Sequence, residues 1–315
     1  MRKSDMGMAP VGRKAVILEI RKGRSIEMKR FCISLITSVL LTLQAGQGAT
    51  APTPNLLRNL DLQRYYLAAM RGEQVLELST DQERFIALSL EQRTASPKGG
   101  ILILHDIGHT PDWPYLLQQV RKVMPDMGWS TLSIDLPTPA RDAIGRLPLG
   151  GVESDTAQVV ESAADWEARL MARIQVGVGQ LNQDGIFNIA VLGYGDGAYW
   201  GTKYLAERLS DEEKDSYALI LFEPALNYPD LPELMASLQI PILDVYMNNS
   251  DFSAMQAKLR KGAVRRAKHP DYLQIHDAAR QSFYGVPDID RSTRRVWGWL
   301  RNHAAGYEAV LDGGN

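Results

Sequence analysis

A strand that runs straight into three alternating glycines restricts this chain more than any other feature. Residues 187–192 read Phe-Asn-Ile-Ala-Val-Leu, Gly193-Tyr194-Gly195-Asp196-Gly197 follow, and residues 198–209 have helical character. So tight a turn between a strand and a helix holds its central residue at a strained φ/ψ. The residues two positions to either side must be small, because the backbones of strand and helix close over them. Gly193 and Gly197 meet that demand, and the register they fix puts Gly195 at the tip.

The rest of the chain supplies more strands of the same kind. Continuous apolar runs at 101–105 and 217–222, with 131–135 and 240–246, read as strands buried on both faces, as a parallel sheet requires. Shorter strand-like segments lie at 75–78, 85–90 and 272–276. Helical stretches are expected at 56–70, 113–124, 156–181, 231–238, 255–268 and 291–303. In the second of these Leu116, Leu117, Val120, Val123 and Met124 share a face, and Gly128 lies just beyond. Alternation of strands with long helices predicts an α/β fold: a mostly parallel sheet flanked by helices on both faces, in a single domain over 50–308 with a tail at 309–315. A turn-rich stretch at 138–155 carries Pro139, Gly145, Pro148, Gly150 and Gly151, and loops of that length are usually functional or mobile.

Composition narrows the function classes. The chain has 315 residues, 45% of them apolar, enough for a full core. A net charge of −2 and a pI near 6.2 leave no basic field for nucleic acid. Mean hydropathy is −0.21 and no run of 18 apolar residues occurs, so no mature membrane span is expected. Near the N-terminus, Met28-Lys29-Arg30, a 13-residue apolar or small run at 31–43 and a small-residue tail to Ala51 have the layout of a secretory signal peptide. The reading is a signal at 28–49, with 1–27 a mis-assigned start and the protein periplasmic or secreted. Cys32, the sole cysteine, lies at the front of the apolar run, where a lipoprotein cysteine does not belong. Removing the signal leaves no cysteine for disulfides, thiolate chemistry or metal ligation.

Strand, glycine turn and helix are also the setting of the Gly-x-Ser-x-Gly nucleophile elbow. His105-Asp106-Ile107-Gly108 stands where the His-Gly-x-Gly oxyanion loop stands, and Asp135-Leu136-Pro137 matches the Asp-x-Pro-Gly-like end of the next strand. Residues 241–251 are similar to the strand and loop that present a triad acid, and Trp297-Gly298-Trp299-Leu300 falls in the closing helix. Nearly the whole mature chain thus resembles the α/β-hydrolase superfamily. Within it the chain is most similar to a family of bacterial exported α/β-hydrolase-like proteins, a domain of unknown function, lacking the nucleophilic serine. Residues 105–114, 128–137, 193–198, 221–224, 241–246 and 294–300 carry that nearer match.

The departure from the superfamily matters as much as the match. Gly195 has no hydroxyl or thiol to attack a carbonyl, so an acyl-enzyme route is closed. Backbone amides near Gly195 and Asp196 need no particular side chain and could still form an oxyanion site. Taking Asp196 as a nucleophile shifts the register and puts Tyr194 where only a small residue fits. Asp196 is therefore expected to cap the helix it opens.

Further candidates gather at predicted strand ends, the edge where open α/β sheets bind ligands. Asp106, Asp135, Glu223, Asp244 and Asp251 are the carboxylates there, with Asp251 and Glu223 in the two places a triad acid can occupy. Each suits a capping or arginine-pairing role equally well. His276 is the histidine nearest the triad position, but it falls at a strand end, and Arg280 and Gln281 follow where the histidine belongs. His269 reads as a helix-end residue and His303 as a surface one. His105 and His109 have a helical metal spacing, but Gly108 and Pro111 make the segment a loop, so no metal or cofactor is expected. Lys258, Arg260, Lys261, Arg265, Arg266 and Lys268 read as a solvated helix face, or else as an anion site.

Three functions compete. A pseudo-hydrolase keeps the fold and binds a ligand or envelope partner. A non-standard hydrolase or lyase uses His105, Asp106, Tyr194 or Glu223 in the same cleft. An interaction protein acts through the 138–155 loop or the basic helix.

Overall fold

The structure, a computed structural model, describes residues 54–139, 162–277 and 290–304. All of them belong to one compact unit that starts at Pro54. The segment read as a signal at 28–49, the residues before it, most of the 138–155 stretch, Arg280, Gln281 and the 309–315 tail lie outside the described residues. Helix α1 (Pro54–Ala69) leads into an antiparallel hairpin, β1 (Val75–Ser79) and β2 (Arg84–Leu90), in register from Val75 opposite Leu88 to Ser79 opposite Arg84. Thr80 closes the turn: its Oγ1 accepts the N–H of Gln82 at 3.3 Å and of Glu83 at 3.1 Å.

The remaining strands are β3 (Gly99–Leu104), β4 (Trp129–Ile134), β5 (Ile189–Tyr194), β6 (Tyr217–Phe222), β7 (Ile242–Tyr246) and β8 (Tyr272–His276). Among the described residues they form one eight-stranded sheet in the order β1-β2-β4-β3-β5-β6-β7-β8. β2 runs antiparallel to β4, and every pairing from β4 onward is parallel. Helices α2 (Leu116–Val123), α3 (Ala163–Gln183), α4 (Asp196–Arg208), α5 (Leu231–Ser237), α6 (Asp251–Arg266) and α7 (Arg291–His303) connect or follow them.

The apolar runs are continuous because both faces of the sheet are covered. Along β3, Leu102 and Leu104 point to the face packed by Leu170, Ile174, Trp200 and Met235 of α3, α4 and α5. Ile101 and Ile103 point to the other face, against Leu117 and Val120 of α2 and Val296 and Leu300 of α7. Each such fully buried side chain contributes about 1.5–3 kcal/mol relative to exposure.

The element boundaries shift where local chemistry overrides period. The 113–124 helix is shorter, starting at Leu116, and its end tightens into a 3₁₀ turn over Met124–Met127. Pro125 has no N–H to continue the helical ladder. The carbonyl of Arg121 bonds instead to Thr131 Oγ1 at 2.9 Å. The 255–268 helix starts earlier, at Asp251, because Ser250 caps it through a bond from Ser253 N–H at 3.2 Å. The 156–181 helix begins at Ala163 behind the Ser162 cap among the described residues. The strand expected at 187–192 starts at Ile189 and reaches Tyr194, leaving Phe187 outside it. A 3₁₀ turn at Asp211–Ser216, closed by a Ser210/Glu213 capping box, has no apolar period to betray it. None of the described helices is long and apolar enough to cross a membrane.

Candidate functional site

β5 ends at Tyr194 and α4 begins at Asp196, so Gly195 makes the turn alone, at φ 60° and ψ −123°. That conformation is one side chains rarely adopt. The chain closes around it as tightly as the glycine spacing demands. A Cβ on Gly193 would run into the backbone of Gly197 and Ala198, and one on Gly197 into the carbonyls of Leu104 and His105. Gly195 is pinned to the end of β6: its N–H donates to Phe222 O, and its carbonyl accepts from Ala225 N–H, both at 3.1 Å.

What occupies the space beyond Gly195 is a carboxylate from another strand. A Cβ built on Gly195 overlaps the side chain of Asp106, in the loop after β3. Asp106 Oδ1 accepts the N–H of Asp196 at 2.7 Å and of Ile107 at 3.1 Å. One of these amides lies just past the turn and the other in the loop after β3. They also lie at the N-terminal end of α4, where an anion is favoured. Asp106 therefore makes the capping contact expected of Asp196, from 90 residues upstream.

Asp196 faces an aromatic wall instead. Its Oδ1 accepts the Tyr228 hydroxyl at 2.9 Å. Tyr228 stacks flat on Tyr199, with centroids 3.7 Å apart, and Tyr199 donates to Asp230 at 2.9 Å. Burial, reinforced by the neighbouring Asp106, pushes the Asp196 carboxyl up to about 6, although the Tyr228 hydroxyl pulls it back. On the other side His109 stacks on Trp113 at 3.5 Å, with Tyr194 beyond at 6.3 Å. Burial, with Glu223 and Asp106 nearby, raises the Tyr194 phenol; burial lowers His109, so its imidazole is neutral at pH 7. Neither Asp106 nor Asp196 makes an ion pair among the described residues.

The other candidates have structural work of their own. His105 is fully buried; its Nε2 accepts the Leu136 N–H at 3.0 Å, so the proton sits on Nδ1, which donates to the Asp106 carbonyl at 2.7 Å. Its 3.4 Å approach to Asp135 is not an ion pair, because Nε2 is already an acceptor. Asp135 is neutralised by Arg58 at 2.7 Å and Arg173 at 3.1 Å. Glu223, at a φ of 43°, gives its carboxylate to the amides of Met247 and of Asn248. Asp251 is an exposed residue opening α6. His276 is exposed and stacks on Tyr246 at 4.5 Å. It lies three strands from β5, roughly 14 Å away at about 4.8 Å per strand. His269 and His303 both engage Asp271, through its N–H and its carboxylate respectively. Among the described residues no three His, Cys, Asp or Glu side chains are grouped as a metal site.

The structure thus brings Asp106 to Gly195 and Asp196, between the small Gly193 and Gly197, with Tyr194 beside them and Glu223 in the β6 end that bonds to Gly195, and leaves Asp251 and His276 apart from the turn. Arg260 corrects the reading of the basic stretch as one solvated face. It is buried and grips Asp244 with two bonds of 2.9 Å, and Asp244 also accepts from Tyr272 and Gln274. The sequence reading missed Tyr228, Tyr199 and Asp230. Tyr199 lies three residues after Asp196, one helical step, and was open to discovery; Tyr228 sits in an aperiodic loop that gives no signal.

Similarity to solved structures agrees with this geometry at the level of fold. A dienelactone hydrolase from Anabaena variabilis superposes with a TM-score of 0.51 at 16% identity, covering 73% of this chain and 97% of its own. An esterase from Pyrococcus furiosus gives 0.53 at 13% identity over 73% and 91%. A cold-adapted esterase from an Arctic intertidal metagenomic library gives 0.50 at 15% identity over 73% and 93%. Identities this low speak to architecture and not to activity. No curated protein matches the chain in sequence. The sheet order, the helices on both faces and the turn at Gly195 are those of an α/β-hydrolase fold, and a match over residues 41–302 places the chain in the family described as Protein of unknown function (DUF3530).

Proposed function

We propose that this protein is a pseudo-hydrolase, an exported α/β-hydrolase scaffold that binds a ligand or envelope partner without serine-esterase chemistry. One observation carries the reading. The Asp106 carboxylate fills the space at Gly195 where a nucleophile's side chain would start, and it takes both amides that would hold an oxyanion. A negative group already seated there, without a cation paired to it among the described residues, opposes the charge that develops in acyl transfer. The groups around it are carboxylates and phenols, which suit a neutral polar or cationic ligand. Export rests on the basic head, apolar run and small-residue tail of residues 28–49.

The purified protein is expected to take up no fluorophosphonate probe and to turn over short acyl esters no faster than buffer. Turnover abolished by a single substitution at Asp106, Asp196 or Tyr228 overturns the proposal. N-terminal sequencing of protein recovered from cells tests export: a start near residues 49–52 supports it, and retention of Met1 sinks it.

A second reading has its own observation. A carboxyl held near 6 beside a carboxylate is a proton donor next to an acceptor, the arrangement of general acid–base pairs. On that reading the Asp106–Asp196 pair performs a hydrolysis or elimination that needs no serine. A substrate found by screening would then show a bell-shaped pH profile, and Asp196→Asn would remove its limb near pH 6; an unchanged profile rejects it.

A further inference from the structure

α6 carries a surface that the elbow does not explain. Phe252, Met255 and Leu259 are 50%, 48% and 51% exposed. Spacings of three and four residues put them on one stripe along the helix. Lys258, Arg265, Arg266 and Lys268 are exposed beside that stripe, and Lys261 partly so. None of these five makes an ion pair among the described residues, whereas the sixth basic residue, Arg260, is turned inward onto Asp244. Asp251 is the only carboxylate on the helix, in a chain whose net charge is −2.

A basic cleft lies on the other flank of the same helix, away from the stripe. Between the last turns of α6 and the edge strand β8 lies a cavity of about 370 Å³ lined by Lys261, Arg265, Lys268, His269, Tyr272 and Gln274. Leu273, 41% exposed, also lines it. That volume is in the range of small-ligand sites.

Charge decides what this face meets. A second copy docked through the same patch would set five cations against five across the two-fold axis, which repels. An acidic polymer would satisfy the cations but leave the apolar stripe in water. Only a surface that is anionic outside and apolar beneath satisfies both. We propose that α6 docks on an anionic membrane surface, with Phe252, Met255 and Leu259 entering the headgroup layer and the exposed cations of the helix meeting lipid phosphates. The inference is independent of whether the elbow is catalytic.

The test places a reporter on the stripe itself. The full chain, with Cys32→Ser and Leu259→Cys, is labelled at position 259 with an environment-sensitive fluorophore and mixed with vesicles. The expected result is a blue shift on phosphatidylglycerol vesicles, weakened at least tenfold in apparent affinity on phosphatidylcholine. Lys258→Glu, Arg265→Glu and Arg266→Glu together are expected to abolish the shift. Phe252→Ser with Met255→Ser is expected to weaken it at least tenfold while leaving binding to polyglutamate unchanged. These substitutions are on the surface, and far-UV circular dichroism confirms folding. The apolar run at 31–43 is common to all variants and does not report at position 259. Equal shifts on both lipids, or no shift, overturn the proposal. So does a lipid-free shift that grows with protein concentration, the mark of a second copy, or binding to polyglutamate without binding to vesicles.

Discussion

Two carboxylate sites in this molecule are built on opposite principles. Asp244, within β7, is completely buried, gripped by both arms of Arg260 and further bonded to Tyr272 and Gln274. Asp106 and Asp196 meet at the elbow half-buried, held by backbone amides and one phenol, with no cation paired to them among the described residues. A buried charge without a partner is costly, so the first site is stable only because it is neutralised. The second keeps its charge by sharing: the Asp106 anion is favoured by the start of α4, and Asp196 holds its proton to about pH 6. One site fixes the edge of the sheet. The other is half-buried and sensitive to pH, and on the proposed function it is the place that meets a ligand.

The contrast can be broken most forcefully at Arg260. Arg260→Met strands the Asp244 carboxylate, and urea unfolding should show a loss of about 3–5 kcal/mol; adding Asp244→Leu should recover most of it. A near-neutral Arg260→Met would mean that Asp244 is not charged and that the two sites are less different than drawn. Asp106→Ala comes next. It leaves the amides of Ile107 and Asp196 without their acceptor, for an expected loss of about 1.5–3 kcal/mol.

Asp196→Asn has the opposite sign at neutral pH. The folded carboxyl is pushed up to about 6 against 3.8 for a free aspartate, so the native state holds the proton more tightly. Its contribution to stability is present below about pH 4 and is lost as pH rises through 6. Asparagine should therefore gain about 1 kcal/mol at pH 7, after allowance for solvent screening, and nothing at pH 3.5. Unfolding curves at the two pH values measure it, and an equal effect at both removes the shared-proton account. Tyr228→Phe should be the mildest change. It removes one hydroxyl bond, costs about 0.5–1 kcal/mol, and moves the titration of Asp196 further upward in a carboxyl NMR experiment.

What could be read from the chain was what depends on near neighbours. Gly193 and Gly197 fixed the elbow because their steric partners lie within a few residues, at Ala198 and Gly197, or on the adjacent strand at Leu104. The apolar runs gave β3 and β6 for the same reason. Asp106 was visible as a strand-end carboxylate, but its place at Gly195 depends on a loop closing across 90 residues. Arg260 was misplaced with less excuse. Ser253, Ala257, Arg260 and Val264 recur at helical spacing on the buried side of α6, and the wheel alone points Arg260 inward. His105 looked chemically available, and only the Leu136 amide shows that its ring is committed to holding two loops together.

The overlap of Asp106 with the space above Gly195 has a consequence for re-engineering the chain. Serine at 195 alone would collide with the Asp106 carboxylate, in a backbone conformation already hostile to side chains. Clearing Asp106 alone would bare two amides with nothing to replace it. Either substitution alone disturbs the turn, so positions 106 and 195 are coupled, and a hydroxyl at 195 fits only together with a change at Asp106.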